Sequence, residues 1–275
     1  MPRIETERED IRALEGLHIW HYEMSNCSQR VRMTLYEKGV DWESHHVNLA
    51  AGEHMDPRFI ALNAAALVPV LVHDGRVYVE SNDILAYLEE TYPEPPLLPD
   101  GQQDRAKILE IAGRSADVQD ALKLLSYEFL FKPRALMSPE RLEQFLKRCP
   151  SPKLAAFHSE FSQGQGFSEP RIREAVQLVE EALSSLEKRL ETSPWLSGAR
   201  FGLADIAWLV NIHRLSLMRY SLARYPKLRA WLARCRKRPS SKRAIDAFEG
   251  RAKRNFFRVY SLVRKLKGTS VNRYR

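Results

Sequence analysis

Cysteine is scarce in this sequence. Three residues, Cys27, Cys149 and Cys235, stand far apart among 275. An odd, scattered set builds no disulfide framework and points to a reducing compartment. Cys27 runs into Ser28-Gln29-Arg30, so it has no CxxC partner, and any redox role would need a second thiol from elsewhere. No zinc spacing links the three cysteines with the eight histidines, and no metal is expected. Gly164-Gln165-Gly166 is too short for a dinucleotide loop. No stretch approaches the ~20 apolar residues of a membrane-spanning helix. Met1 to Glu15 mixes acids and bases without the apolar segment of a signal or transit peptide. A cytoplasmic protein is expected, and no internal repeat is found.

The length suits two domains, each able to bury a core. With 44% hydrophobic and 28% charged residues the composition is that of a globular protein. The net charge is +8 with a pI near 9.4. An anionic partner would follow from that figure alone, but the excess is uneven. Residues 1–100 are acid-rich, and Lys and Arg concentrate from Arg224 to Arg275. That distribution places the charge in a tail and argues against a nucleic-acid groove.

Residues 1–16 read as a polar N-terminal extension. Leu17 to Tyr22 is a short apolar run suited to a buried strand. Ser25-Asn26-Cys27-Ser28 supplies helix-start chemistry, Val31, Leu35 and Tyr36 follow at helical spacing, and Lys38-Gly39 closes the helix. Trp42 to Leu49 alternates like a strand, and Pro57 to Leu62 reads as a short helix. Val68 to Val72 and Val77 to Val79 flank Asp74-Gly75 as a hairpin. A helix from Ser81 to Tyr92 completes a β-α-β-α-β-β-α order over residues 17–93. The proline-rich segment 94–101 reads as a linker. Residues 102–250 read as helices at roughly 102–131, 139–148, 169–191, 203–219, 226–237 and 240–265, with a loop over 149–168. The last of these runs on into a basic tail, 251–275.

Several residues in this frame bear chemistry. Pro69 enters a strand, where proline marks an edge, a turn or a break. A cis bond at Val68–Pro69 would leave the Val68 backbone open to an extended peptide; an ordinary turn proline is the plainer reading. Ser81, after Glu80, caps a helix whose free N–H groups attract carboxylates. Ser25 and Cys27 lie where the first strand meets the first helix. A cysteine there is biased toward thiolate, and a serine hydroxyl there can donate to a neighbouring sulfur anion. A buried structural cysteine is the competing reading.

In this order and spacing the pieces resemble the glutathione S-transferase superfamily. SNCSQRVRMTLYEKG at Ser25 to Gly39 is similar to the zeta-class signature. With Met24 it is similar to the zeta-related tetrachlorohydroquinone dehalogenase branch. GEHMDPRFIALN from Gly52, the Val68-Pro69 and Glu80-Ser81 pairs, and WLSGARFGLADIAW from Trp195 extend the resemblance over about residues 17–250. It implies a thioredoxin-like α/β N-terminal domain and an all-α C-terminal domain that supplies most of the acceptor pocket. It also implies a homodimer and glutathione as co-substrate. Ser25 would stabilise the glutathione thiolate, and Cys27 would resolve a glutathione adduct through a mixed disulfide. Leu67, Val68 and Pro69 would flank the cysteinyl backbone, Glu80 and Ser81 would hold the γ-glutamyl end, and His54 is a candidate for the glycyl carboxylate. Leu67 replaces a residue that is polar in zeta isomerases, and a segment like residues 130–170 is missing from those shorter enzymes. Both departures lean toward the dehalogenase and ether-cleaving branches. In the C-terminal motif Gly202 stands where a Ser or Thr cap is usual, with Asp205 three residues on.

Tyr127, Phe129, Phe131, Trp208, His213 and Arg214 are candidates for the acceptor pocket; the competing reading makes the aromatics core. Arg214 on an apolar helix needs an anion, either a substrate or a carboxylate near Asp205. In the tail, Phe256, Val259, Tyr260, Val263 and Leu266 fall at helical spacing, giving an amphipathic helix that docks on the second domain or touches an anionic membrane. The expected function is a glutathione transferase acting on a small hydrophobic, aromatic electrophile. Dehalogenation or ether cleavage with exchange at Cys27 is the specialised form. Zeta-type isomerisation and a non-catalytic module that binds through its tail are the alternatives.

Overall fold

The computed structural model describes residues 3–275. Five strands form one sheet in the order β1-β5-β4-β2-β3: β1 (Arg3–Ile4), β2 (Leu17–His21), β3 (Glu43–His46), β4 (Val70–His73) and β5 (Arg76–Tyr78). β2 and β3 run parallel, joined through helix α2 (Asn26–Lys38). β4 and β5 pair antiparallel about Asp74 and Gly75, both with left-handed φ, as a two-residue hairpin turn requires. Short helices α1 (Glu9–Arg12) and α3 (Pro57–Ile60), with α4 (Ser81–Thr91), complete the expected α/β domain. The N-terminal extension is more structured than its polarity suggests. β1 covers the open edge of β5, and α1 buries Ile11. Met1 and Pro2 lie outside the described residues.

The second half is helical: α5 (Gln102–Asp117), α6 (Gln119–Ser126), a π-helical turn at Tyr127–Phe131, α7 (Lys132–Ala135), α8 (Pro139–Arg148), α9 (Pro152–Gln163), α10 (Glu169–Thr192), α11 (Leu203–Leu217) and α12 (Pro226–Lys237). The loop expected over 149–168 contains α9. Ser151 caps that helix, its hydroxyl accepting the Leu154 N–H at 3.3 Å, and Pro152 fits the first turn. Leu154, His158 and Phe161 give it a buried face. The helix expected over 240–265 is broken by Gly250, whose φ of 70° no helix continues.

Segment 94–101 has no regular structure, yet it is pinned. Buried Glu89 accepts the N–H groups of Leu97 and Leu98 at 3.0 and 2.9 Å. Lys38 pairs with Glu89 and donates to the Pro95 carbonyl at 2.8 Å. The Leu203 N–H, in the first turn of α11, donates to the Leu97 carbonyl at 3.0 Å.

α11 runs through the core with nearly every residue buried. The cap hydroxyl missing at Gly202 comes from Ser197, whose Oγ accepts the Ala204 N–H at 3.1 Å. Asp205 accepts the Gly202 N–H at 3.1 Å and the Trp231 indole N–H at 2.6 Å. A Cβ at Gly202 would collide with the Leu97 carbonyl and the Ser197 side chain.

The C-terminal helix Arg251–Leu266 packs on the second domain, but not through the expected face. Phe257 turns inward against Phe131, with ring centroids 5.7 Å apart, and the Ser261 hydroxyl donates to the Leu217 carbonyl at 2.9 Å. Val259, Leu262, Val263 and Leu266 point to solvent.

Candidate functional site

Strand pairing brings three segments to one end of the sheet. Trp20 lies opposite Val70, and Leu71 opposite Tyr78. The C-terminal ends of β2 and β5 therefore flank the start of β4. The β2–α2 turn carries Ser25 and Cys27, residues 67–69 precede β4, and Glu80-Ser81 links β5 to α4.

The Val68–Pro69 bond is cis. Among the described residues no hydrogen bond engages the Val68 N–H or C=O. The Leu67 carbonyl is held by the Asn63 side-chain amide at 2.9 Å, while the Leu67 side chain is exposed. Glu80 takes φ 63° and ψ 108°, a conformation that costs a non-glycine residue about 1–3 kcal/mol. Its side chain is exposed, and the next residue, Ser81, is buried at the first turn of α4.

Ser25 is the N-cap of α2. Its Oγ accepts the Ser28 N–H at 3.2 Å, and the Ser28 Oγ accepts the Tyr22 N–H at 3.3 Å. A hydroxyl that accepts in this way keeps its own proton for a ligand. Ser25 and Cys27 are both half-buried.

Beneath this turn lies Arg30, which sequence reasoning noted only as part of a motif. It is 1% exposed and, among the described residues, has no carboxylate partner. Nε donates to the Ala207 carbonyl at 3.1 Å, Nη1 to Ser81 Oγ at 3.3 Å, and Nη2 to Asn211 Oδ1 at 2.9 Å. One guanidinium thus ties α2, α4 and α11 together directly under the Ser81 hydroxyl. Burial lowers its pKa, and the neighbouring Cys27 works in the opposite direction. The signal in the sequence is a charge in mid-helix among apolar neighbours. Arg32, two residues on, is equally buried and donates to the Ala244 carbonyl at 3.0 Å.

Arg214 is buried beside the same turn and donates to the Met24 carbonyl. Its pKa is pulled to about 10 by burial, against the charges of Glu249, Tyr22 and Cys27. Its counter-charge is Glu249, not a group near Asp205, whose carboxylate is already occupied by Trp231 and backbone N–H groups. Burial opposes ionisation of Glu249, but His213, Arg214 and Gln29 outweigh it and hold the carboxyl at about 2. His213 donates through Nε2 to Glu249 at 3.0 Å and is absorbed in this network. Trp208 is corrected to core: it is 3% exposed and its indole N–H is spent on the Ile111 carbonyl at 2.8 Å. Phe129 is core as well.

Tyr127 stays at the domain boundary, half-buried, edge-on to Phe131, Phe157 and His158. Burial raises its pKa to about 12, with a smaller contribution from Tyr22 across the boundary. His54 is buried rather than in an exposed loop, and its Nδ1 has no hydrogen-bond partner among the described residues. His158 Nδ1 is orphaned in the same way. The two residues share a neighbour that sequence reasoning missed, Lys123, whose ammonium lies 4.1 Å from the Phe157 ring centroid. Burial pulls Lys123 down to about 8. Burial and the Lys123 charge hold both imidazoles in the neutral form, so the positive charge of this corner is the Lys123 ammonium, which suits a carboxylate or phenolate.

The glutathione S-transferase N-terminal domain family matches residues 19–96, and the glutathione S-transferase C-terminal domain family matches residues 169–234. Glutathione S-transferase TCHQD of Arabidopsis thaliana is 29% identical over 276 residues, covering 90% of this chain and all of its own. A 2,5-dichlorohydroquinone reductive dechlorinase of Sphingobium indicum is 26% identical over 292 residues, covering 84% of this chain and 83% of its own. The crystal structure of beta-etherase LigF from Sphingobium sp. strain SYK-6 superposes with a TM-score of 0.76 at 27% identity, covering 83% of this chain and 98% of that one.

Proposed function

Because the chain belongs to the glutathione S-transferase family, we propose that it binds glutathione across the three segments at the sheet end and activates its thiol for attack on an aromatic electrophile. The observation that carries this reading is the free backbone of Val68 beside a capped, proton-bearing Ser25 and an Arg30-anchored Ser81. The cysteinyl part of glutathione pairs with Val68 as an added strand does. Its γ-glutamyl carboxylate meets the N-terminus of α4 and the Ser81 hydroxyl. Its glycyl carboxylate reaches the corner of His54 and Lys123. The Ser25 hydroxyl donates a hydrogen bond to the sulfur, favouring the thiolate.

Conjugation ends when that sulfur has displaced a leaving group from the acceptor carbon. Reductive removal continues at Cys27. Its thiolate attacks the glutathione sulfur of the adduct, the carbon–sulfur bond breaks, and the aromatic carbon takes a proton. A second glutathione then cleaves the Cys27 mixed disulfide. Two glutathione thiols are oxidised to one disulfide, and the substrate gains two electrons. The names of the Sphingobium dechlorinase and etherase support this specialised form, as does the exposed Leu67. Tyr127 and Phe131 line the acceptor side. The same reading carries a cytoplasmic homodimer, which light scattering on the purified chain tests.

The deciding experiment compares Ser25→Ala with Cys27→Ser. Ser25→Ala is expected to lower conjugation of a model electrophile by ~10²-fold or more. Cys27→Ser is expected to keep glutathione affinity and conjugation while stalling a halogenated hydroquinone as its glutathione adduct. Wild-type reductive turnover in Cys27→Ser would remove the exchange step, and full conjugation in Ser25→Ala would remove Ser25 from the mechanism.

A further inference from the structure

We propose that His18, Glu43 and His45 form a binding site for a borderline divalent transition metal of the zinc type, on the β2–β3 pair away from the glutathione cleft. Spacing along the chain hid this group and led to the expectation of no metal. The parallel pairing of β2 with β3 creates it, setting His18 beside Glu43 and Trp20 beside His45.

Three ligand groups converge. His18 Nδ1 lies 3.0 Å from His45 Nε2, Glu43 Oε2 lies 3.6 Å from His18 Nδ1, and Glu43 Oε1 lies 3.5 Å from His45 Nε2. Ligands about 2.0–2.2 Å from a tetrahedral zinc ion stand roughly 3.3–3.5 Å from one another. Taking one ligand atom from each residue, all three lie within 4.8 Å of one another, and a small rotation of the exposed Glu43 carboxylate brings one oxygen toward both imidazoles to make one face of such a site.

The His18 tautomer already suits a metal. His18 Nε2 lies 3.0 Å from the Glu15 carbonyl oxygen. A carbonyl only accepts, so Nε2 bears the proton and Nδ1 presents a lone pair to the other two ligands. A backbone carbonyl that fixes a ligand histidine's tautomer is a standard outer-shell contact. In the free protein His45 Nε2 donates to His18 Nδ1, and on metal binding that proton moves to His45 Nδ1. The His45 ring is held flat against Trp20, with centroids 4.1 Å apart and planes 9° from parallel. His18 is buried, whereas Glu43 is exposed, which leaves a fourth position to water. Two imidazoles and a single carboxylate suit zinc, nickel or copper, and are too poor in oxygen for calcium or magnesium.

The test uses the full chain, reduced and metal-free, dialysed against zinc chloride with magnesium chloride as the control, and repeated with cobalt(II) for its visible spectrum. Uptake of a single zinc, a cobalt spectrum without a thiolate charge-transfer band, and an affinity at least about tenfold weaker in Glu43→Gln and in His45→Ala are expected. Both positions lie outside the glutathione site, so metal-free transferase activity and melting temperature of Glu43→Gln stay at the wild-type level. Absence of stoichiometric zinc uptake overturns the proposal. Unchanged uptake in both variants, or a thiolate band implicating Cys27 or Cys149, overturns it as well.

Discussion

A guanidinium sealed from water with no carboxylate beside it depends entirely on the dipoles that surround it. Arg30 meets this requirement with the Ala207 and Ser115 carbonyls and the Asn211 amide of the helical domain and with the Ser81 hydroxyl and Asn82 amide of the α/β domain. The planar fork reaches acceptors in several directions at once, and an ammonium cannot. Arg30→Lys is accordingly expected to weaken glutathione binding about tenfold or more by releasing the Ser81 hydroxyl, as calorimetric titration would measure. Arg30→Met leaves several buried acceptors bare and should cost about 3–5 kcal/mol in urea unfolding. Unchanged glutathione affinity in Arg30→Lys would reduce Arg30 to a packing role.

Glu249 makes a prediction with a definite sign. Its carboxyl titrates at 4.5 when unperturbed and at about 2 in the fold, where His213 and Arg214 offset its burial. Its contribution to stability is therefore complete above pH 4.5 and disappears as the pH falls toward 2. The shift corresponds to on the order of 3 kcal/mol. Glu249→Gln should lower the urea midpoint at neutral pH and converge on the wild type near the acid limit. A difference that persists undiminished into acid would assign the loss to packing rather than charge.

At the scale of elements, most of the α/β half was legible because its signals are local. A hairpin turn at Asp74-Gly75, a capped helix from Ser25 and a proline at the head of β4 each leave a mark in a few residues. α8 and α12 were equally readable, each opening on a proline and closing on basic residues. The misses have a common cause. α9 lies in a segment, 149–168, whose Pro, Ser, Gln and Gly residues at and beyond its ends signal a loop and mask the apolar face within. The inward side of the C-terminal helix is chosen by Phe131 and Leu217, far away in sequence. In the candidate site, the main-chain features could be anticipated, whereas Lys123, His158 and Glu249 could not, because only the packing of helices distant in sequence gives them neighbours such as Phe157, Tyr127 and His213. Gly202 belongs to this scale too. Gly202→Ala forces its Cβ into the Leu97 carbonyl and the Ser197 side chain, and is expected to cost about 2 kcal/mol, read as a lower melting temperature. A neutral effect would show that the linker yields there.

Across the whole molecule, the C-terminal segment is an integral part of the fold. Lys253 pairs with Glu23 beside the β2–α2 turn, Arg264 donates to the Glu128 carbonyl at 2.8 Å, and Arg275 donates to Glu180 at 2.8 Å. Removing residues 251–275 should therefore lower transferase activity as well as stability. Full activity in the truncated chain would leave the segment with a purely peripheral role. The outward stripe of Val259, Leu262, Val263 and Leu266 would be lost with it.

The pinned segment 94–101 carries the last consequence. Connectors between domains usually act as hinges, letting one half melt ahead of the other. Here Lys38 and Glu89 grip the connector from one side and Leu203 from the other, so loosening either half strips contacts from its neighbour. Heating in a scanning calorimeter should give a single cooperative peak, and proteases should find no early nick between the halves.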